Sequence, residues 1–408
     1  MSNLPKGWEI VKLSKLLKLK GGNAFKSNDF IDKGIPVLKI SNINKSGQID
    51  LKDYVCVEEL EEYKDYLLAE NDIVVAMSGA TTGKMGRVKF KDLPLYLNQR
   101  VGKFEIKNKD ILDNDFLYFN VNSPQFIEKL LVNAIGGAQP NISSKQIEEL
   151  EIPIPPLEEQ KKIADILSTV DKKIAFVEEN INATEELKKG LMQKLLTEGI
   201  GHTEFKDSEL GRIPESWEIN LLDRLAKRGS GHTPNKQISN YWNGGIKWVS
   251  LSDSNKMDNR YIYFTSKEIS LAGIQNSSAV IHPKETVILV RDAGVGKSAI
   301  LAYDMAVSQH FMAWICGESL NNIFLYYWLQ SKKQVFESIA IGSTIKTIGL
   351  EYFKKLKMPL PHIEEQKQIA EILSTVDNKL ENLKEKKQFF EELKKGLMQK
   401  LLTGEVRL

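Results

Sequence analysis

The sequence predicts an α+β chain: two mixed α/β globular domains separated by two long helices, the helices packed as an antiparallel coiled coil about an internal pseudo-twofold repeat. Three observations carry this. The twelve residues ELKKGLMQKLLT occur at Glu186 to Thr197 and again at Glu392 to Thr403, and the same offset of 206 relates PIPPLEEQKKIADILSTVDKKI, starting at Pro153, to PLPHIEEQKQIAEILSTVDNKL, starting at Pro359. Within each copy, apolar residues alternate spacings of four and three, as on one stripe of a long helix. The similarity is also uneven: the helical segments match almost residue for residue, while the globular parts share only scattered turns and strand positions. A scaffold is duplicated and two heads have diverged.

Residues 1–156 form the first domain. After Pro5-Lys-Gly-Trp8, the pattern predicts a short amphipathic helix over Glu9 to Leu19, then strands at Ile35 to Ile40, Asp72 to Ala76 and Arg100 to Ile106 between Gly-, Asn- and Lys-rich loops. A helix is expected over Asn114 to Leu131, interrupted at Ser123-Pro124 because proline disfavours a helical residue before it. The loop from Ile135 to Ile142 leads to a short helix at Ser143 to Leu150. The exit is Ile152-Pro-Ile-Pro-Pro156, extended and unable to join the middle of a sheet.

Residues 157–198 read as one helix of about 40 residues, a rod of roughly 60 Å at 1.5 Å per residue. Its stripe is Ile163, Leu167, Val170, Ile174, Val177 and Ile181, continued by Leu187, Leu191 and Leu195. Such a rod needs a partner helix. Gly190 marks either a close helix crossing or a mobile last turn. Residues 199–212 form a linker with three glycines, and the first unit then restarts: Pro214-Glu-Ser-Trp-Glu-Ile219 echoes Pro5-Lys-Gly-Trp-Glu-Ile10, and Gly296-Lys297 echoes Gly83-Lys84. Residues 213–361 form the second domain. Residues 362–408 hold the second helix, with Ile369, Leu373, Val376, Leu380, Leu383, Phe390, Leu393, Leu397 and Leu401 as its stripe.

Composition narrows the function classes. No stretch approaches the roughly 20 apolar residues of a membrane helix, and MSNLPKGWEI lacks the apolar core of a signal peptide, so a cytoplasmic protein without membrane contact is expected. Cys56 and Cys316 are too few for a disulfide framework, and the histidines at 202, 232, 282, 310 and 362 share no metal-ligand spacing. No cofactor or metal site is expected. Net charge is only +2, but residues 213–361 carry 17 Lys and Arg against 12 Asp and Glu, compared with 21 against 20 in residues 1–150. The second unit therefore offers the more basic face.

Two variable globular regions, each followed by a near-identical long helix opening with Pro-x-Pro and Glu-Glu-Gln, resemble the specificity subunit of type I restriction-modification enzymes. The resemblance spans the whole chain. Its marks are Pro153-Ile-Pro-Pro-Leu-Glu-Glu-Gln160, Ile163-Ala-Asp-Ile-Leu167 and Leu187-Lys-Lys-Gly-Leu-Met-Gln-Lys-Leu-Leu196, each with a second copy, and more weakly Gly231-His-Thr-Pro234. The first unit has Gly22-Asn-Ala-Phe25 at that loop. The resemblance implies a non-catalytic subunit whose two target-recognition domains each read one half of a bipartite, asymmetric site on double-stranded DNA. It further implies helices that set the spacing and dock two methylation subunits, with ATP-dependent restriction subunits in the full complex.

Base reading requires paired donors and acceptors on exposed loops, typically Arg to guanine and Asn or Gln to adenine. The first unit offers Gln99, Arg100, Gln139 and Asn141; the second offers His232, Arg291, Gln309, His310 and Lys346. Lys84 and Lys297, on glycine turns after strands, suit phosphate contact or a solvated hairpin, and Arg87 lies close by. Neither turn keeps the spacing of a nucleotide-binding P-loop. Glu159-Gln-Lys161 and Glu365-Gln-Lys367 contain Glu-x-Lys but open the long helices, where capping and surface charge account for them. The competing class is a coiled-coil scaffold carrying two protein- or ligand-binding heads without DNA.

Overall fold

A segment with prolines at alternate positions is confined to a sheet edge, and both exit segments obey this. In the computed structural model, which describes residues 4–44, 47–132, 134, 140–342 and 346–408, Glu151–Ile154 pairs antiparallel with Glu9–Lys12 alone. Lys357–Leu360 pairs in the same way with Glu218–Leu221. The helix expected over Glu9 to Leu19 is therefore strand, one helical turn at Leu13–Leu16, and strand again at Leu17–Gly21. Its apolar spacing survives because Leu13 and Leu16 are buried on that turn, while the flanking backbone bonds to other strands.

The chain divides into two compact units, Met1–Glu178 with Glu385–Leu408, and Glu179–Lys384. In the first, a four-stranded antiparallel sheet runs in the order Leu17–Gly21, Val101–Ile106, Ile73–Ala76, Met85–Arg87. A smaller sheet joins Cys56–Val57, Ile35–Leu38 and Tyr96–Leu97. The helices Asn114–Val121 and Pro124–Val132 break at Ser123-Pro124 as expected. In the second unit the matching order is Ala226–Ser230, Phe311–Cys316, Val287–Val290, Ser298–Leu301, extended by Tyr261–Ile262. A four-stranded sheet around Trp242–Val249 lies in the same unit. The expected linker carries an antiparallel hairpin, Phe205–Ser208 with Gly211–Pro214.

The long helices run Leu157–Leu195 and Ile363–Leu401, and each unit contains the start of one and the end of the other. In the first unit Asp171 pairs with Lys394 at 2.6 Å and Glu178 with Lys387 at 3.0 Å. Seven residues forward on one helix are seven back on its neighbour, so the pair is antiparallel. In the second unit Lys188 meets Asp377 at 2.5 Å and Glu185 meets Lys384 at 3.2 Å, so the helices again run in opposite directions. The repeated Ser-Thr-Val-Asp of each copy thus meets the repeated Lys of the other. No helix among the described residues is long and apolar enough to cross a membrane.

The stripe departs from expectation towards its ends. Leu187 and Leu393 are exposed, at 51% and 39%, and the seam passes instead through the half-buried Lys188 and Lys394. From Ile181 the seam continues through buried Thr184 to position 188, keeping the three-four alternation, whereas position 187 is about 100° off it. Each lysine lies over an aromatic ring of a head helix, Lys394 over Phe119 at 5.6 Å and Lys188 over Tyr327 at 5.9 Å. Tyr327 donates to Asp377 at 2.7 Å, and burial together with that carboxylate pushes its phenol well above the ordinary value. Gly190 and Gly396 have open space where a Cβ would stand, so neither marks a close crossing.

The end of the repeated segment has a further use. Met398, Leu401 and Leu402 enter the first unit's core beside Trp8, Ile163 and Leu167, and Leu195 and Leu196 enter the second's beside Trp217, Ile369 and Leu373. Glu-Glu-Gln is not merely surface capping. Glu158 and Glu364 pair on the surface with Lys161 and Lys367, but Glu159 is only 6% exposed and accepts from the Trp8 indole at 3.2 Å and from Arg407 at 2.8 Å. Glu365 accepts from Trp217 at 3.0 Å, from the Ile200 backbone and from His202.

The Arg407 guanidinium, aided by Trp8 and opposed by burial, holds the Glu159 carboxyl below its ordinary 4.5. A lowered folded-state value stabilises above the ordinary value and ceases to do so as pH falls through the lowered one. Arg407→Ala should therefore lower the denaturation midpoint of the first unit at pH 7, and the difference from wild type should shrink as pH falls below the ordinary carboxyl value of 4.5. A difference independent of pH would contradict this role.

Candidate nucleic-acid interface

In both heads the loops at one end of the four matching strands are tied together by the same backbone bonds. In the first unit Met77 N donates to Arg100 O at 3.0 Å, Ile142 N to Met77 O at 2.9 Å, and Gly79 N to Pro140 O at 3.1 Å. In the second, Arg291 N donates to His310 O at 2.9 Å, Ile348 N to Arg291 O at 3.0 Å, and Ala293 N to Lys346 O at 3.2 Å. Isolated bridges Ser78 to Asn141 and Asp292 to Thr347 complete each corner. Three segments distant in sequence thereby present adjacent side chains from a rigid sheet edge.

The glycine that opens each neighbouring loop is set by sterics. A Cβ on Gly22 would stand 2.1 Å from Leu97 O, and one on Gly231 would stand 1.6 Å from Val307 O, so only glycine lets the backbones approach. The departure of Gly22-Asn-Ala-Phe25 from Gly231-His-Thr-Pro234 therefore spares the residue that shapes the loop.

Gln99, Arg100 and Asn141 come together in the first corner, lining a cleft of about 510 Å³ with Met77, Ser78, Gly79 and Pro140. Gln99 and Arg100 are exposed on the turn before Val101–Ile106, and neither side chain has a partner among the described residues. Gln139 lies outside the described residues. The Ser78 and Thr81 hydroxyls are buried without a hydrogen-bond partner among the described residues, whereas Thr82 Oγ1 donates to Gly79 O and Pro140 O. Lys84 follows Gly83 on the adjacent hairpin and is half-buried.

Arg87 does not join this cleft. Its guanidinium donates to Asp115 at 2.7 Å and stacks on the Tyr118 ring at 4.2 Å, so its charge is committed to a head helix rather than to an open loop. Proximity in sequence to Lys84 misplaces it, because alternate residues of a strand face opposite ways.

The second corner gathers Arg291, Gln309, His310 and Lys346, with His232 on the neighbouring loop. His310 Nδ1 contacts Asp292 at 2.8 Å, Thr233 Oγ1 donates to Gln309 Oε1 at 2.6 Å, and Arg291 Nε lies 3.4 Å from Asp292. His232 is exposed while its carbonyl accepts from the Trp248 indole. Lys346 is exposed. Lys297 occupies the hairpin equivalent to that of Lys84, but its ammonium donates to Ser254 O at 3.1 Å, which turns it inward.

Sequence reasoning missed Asp292, which has no motif of its own, and the role of Thr233, which lies in Gly231-His-Thr-Pro234 but acts on a residue 76 positions away, as Asp292 acts on one 18 positions away. It also missed a net-basic cleft of about 650 Å³ in the second unit, lined by Lys188, Lys189, Lys332, Lys333, Lys384 and Glu185, where Lys188 and Lys384 are paired with Asp377 and Glu185 and burial holds Lys332 below its ordinary pKa. Among the described residues no group of His, Cys, Asp or Glu is placed to hold a metal. The exposed amide, guanidinium and ammonium groups at the two corners suit recognition of a polar, anionic surface.

Comparison with known proteins agrees with this layout. Residues 5–186 and 214–391 each match the family model described as the type I restriction modification DNA specificity domain. The chain is 30% identical over 438 residues to the type I restriction enzyme MjaVIII specificity subunit of Methanocaldococcus jannaschii, covering 99% of this chain and 94% of that protein. It is 24% identical over 389 residues to the EcoBI specificity subunit of Escherichia coli, covering 89% and 78%. The crystal structure of a type I restriction-modification S subunit from M. genitalium has the same fold, with a TM-score of 0.62 at 16% identity over 98% of this chain and 97% of that one.

Proposed function

Since this chain belongs to the type I restriction-modification DNA specificity family, we propose that it is the sequence-specific DNA-recognition subunit of such a complex, each head reading one half of a bipartite, asymmetric site. The observation that carries this reading is the pair of equivalent corners: one backbone frame, two different sets of exposed side chains. Gln99, Arg100 and Asn141 face the first half-site, and Gln309, His310 and Lys346 the second, so the half-sites differ. Lys84 and the basic cleft of the second unit contact phosphates, which position the protein without reading sequence.

The subunit itself is non-catalytic. Methylation subunits dock on the long helices and supply methyl transfer, restriction subunits add ATP-dependent cleavage, and the complex works in the cytoplasm. Two related heads on one DNA face would place the half-site centres about one helical turn, roughly 10 base pairs, apart. A scaffold with protein- or ligand-binding heads is set aside by the family membership.

The test uses the full chain with its methylation subunits and a mixed pool of DNA duplexes. Affinity for duplex should fall steeply with salt, as phosphate neutralisation requires. Arg100→Ala should relax preference at one base pair of the first half-site by about 10-fold and leave the second half-site unchanged. Absence of salt-dependent binding, or relaxation in both halves, would sink the reading of two independent heads.

A further inference from the structure

Four side chains of the second corner form one directed hydrogen-bond chain. Thr233 Oγ1 donates to Gln309 Oε1 at 2.6 Å, Gln309 Nε2 faces His310 Nε2 at 3.4 Å, and His310 Nδ1 faces Asp292 Oδ2 at 2.8 Å. The carboxylate only accepts, so Nδ1 carries the proton; a neutral imidazole then accepts at Nε2, and the donor facing it is the Gln309 amide. Asp292 is 8% exposed and also meets Arg291, so this end of the chain is anchored in the head. Gln309, within the chain, is exposed.

The consequence is a glutamine amide whose oxygen and nitrogen cannot exchange places. An ordinary surface glutamine samples both orientations and pays rotamer entropy on binding. Here one N–H and one oxygen lone pair remain free in a set order, the pair that matches N7 and the N6 amino group of adenine in the major groove. The first corner lacks this device. Ser78 stands at the position of Asp292 and Arg100 at that of His310, and Gln99 has no side-chain partner among the described residues.

We infer that Gln309 reads an adenine in the second half-site, and that Thr233, His310 and Asp292 are positioning residues that hold its amide in the reading orientation. The assignment rests on the DNA-recognition reading above. In the full chain with its methylation subunits, Gln309→Ala lowers the preference for adenine at one position of the second half-site by about 10-fold, with the first half-site unchanged. Placing 7-deazaadenine at that position, which deletes the N7 acceptor, weakens wild-type binding by a similar factor and leaves Gln309→Ala unaffected.

His310→Ala and Asp292→Ala reduce the same preference and no other. Asp292→Asn, isosteric but able to donate to Nδ1 and so to reverse the imidazole tautomer, reduces it as well, while an unchanged first half-site preference in these variants controls for folding. The assignment is overturned if Gln309→Ala keeps every base preference, if the lost preference is for another base, or if 7-deazaadenine is neutral for wild type. A wild-type complex with no base preference in either half-site overturns the recognition reading itself, a result distinct from these.

Discussion

Gln366→Leu is expected to destabilise the second unit by about 3 kcal/mol: the Pro361 carbonyl left buried and unpaired costs roughly 1 to 3 kcal/mol, and the two partly buried bonds contribute about 0.5 to 1.5 kcal/mol each. Gln366 is fully buried. It accepts from Asn321 N at 2.9 Å and donates to Ser319 O at 3.0 Å and Pro361 O at 2.9 Å. Leucine fills the volume but satisfies none of these groups. Asn321 also caps the helix Asn322–Ser331 by accepting from Phe324 N, so the loss reaches the helix that carries Tyr327 to Asp377. Thermal unfolding should show a midpoint lower by about 6–12 °C in that unit, with faster amide exchange at the start of the helix. Gln160, which bonds Asp113 N, Ile111 O and Pro155 O in the same pattern, should give the same result in the first unit. An unchanged midpoint would mean that these bonds do not anchor the heads to the helices.

Val170→Asp should cost about 3–5 kcal/mol, the scale set by leaving a buried charge uncompensated. Val170 is 7% exposed on the seam of the first unit, one residue before Asp171, which already engages Lys394. A second carboxylate there finds the nearest seam lysines, Lys394 and Lys387, already paired among the described residues. Co-purification with a methylation subunit should be lost along with the helix pairing. Leu187→Asp on the same helix is the informative contrast: as an exposed position it should change stability by no more than about 0.5 kcal/mol, although the sequence stripe places it beside Val170. Equal effects at both sites would restore the stripe as read from spacing alone.

Legibility followed the reach of the interactions. Periodicity located both long helices, their starts to within a residue and their ends less closely, because a helix is specified by neighbours three and four positions apart. The break at Ser123-Pro124 and the edge strands at the Pro-x-Pro exits followed from proline's local constraints. Glu9 to Leu19 was misread because its apolar spacing satisfies both a helix and two strands around one turn, and the choice belongs to partners at Glu151–Ile154 and Val101–Ile106. Type and loop context single out Gln99, Arg100, Asn141, Gln309 and His310 as candidates, and the structure gathers them at the two corners. Arg87 and Lys297 were assigned by the same rule, but their direction depends on Asp115, Tyr118 and Ser254.

By itself, then, the sequence determined the duplication, the two long helices, the family and the loops that diverge between the heads. The tertiary structure alone decided that each repeat's Asp pairs with the other repeat's Lys, that Glu159 and Gln160 with Glu365 and Gln366 tie heads to helices, and that Thr233, Gln309, His310 and Asp292 form one oriented chain. The division is physical. Local spacing records which face of an element is apolar, but a buried polar group is stable only with its partner, and those partners lie scores to hundreds of residues away, where no local pattern records them.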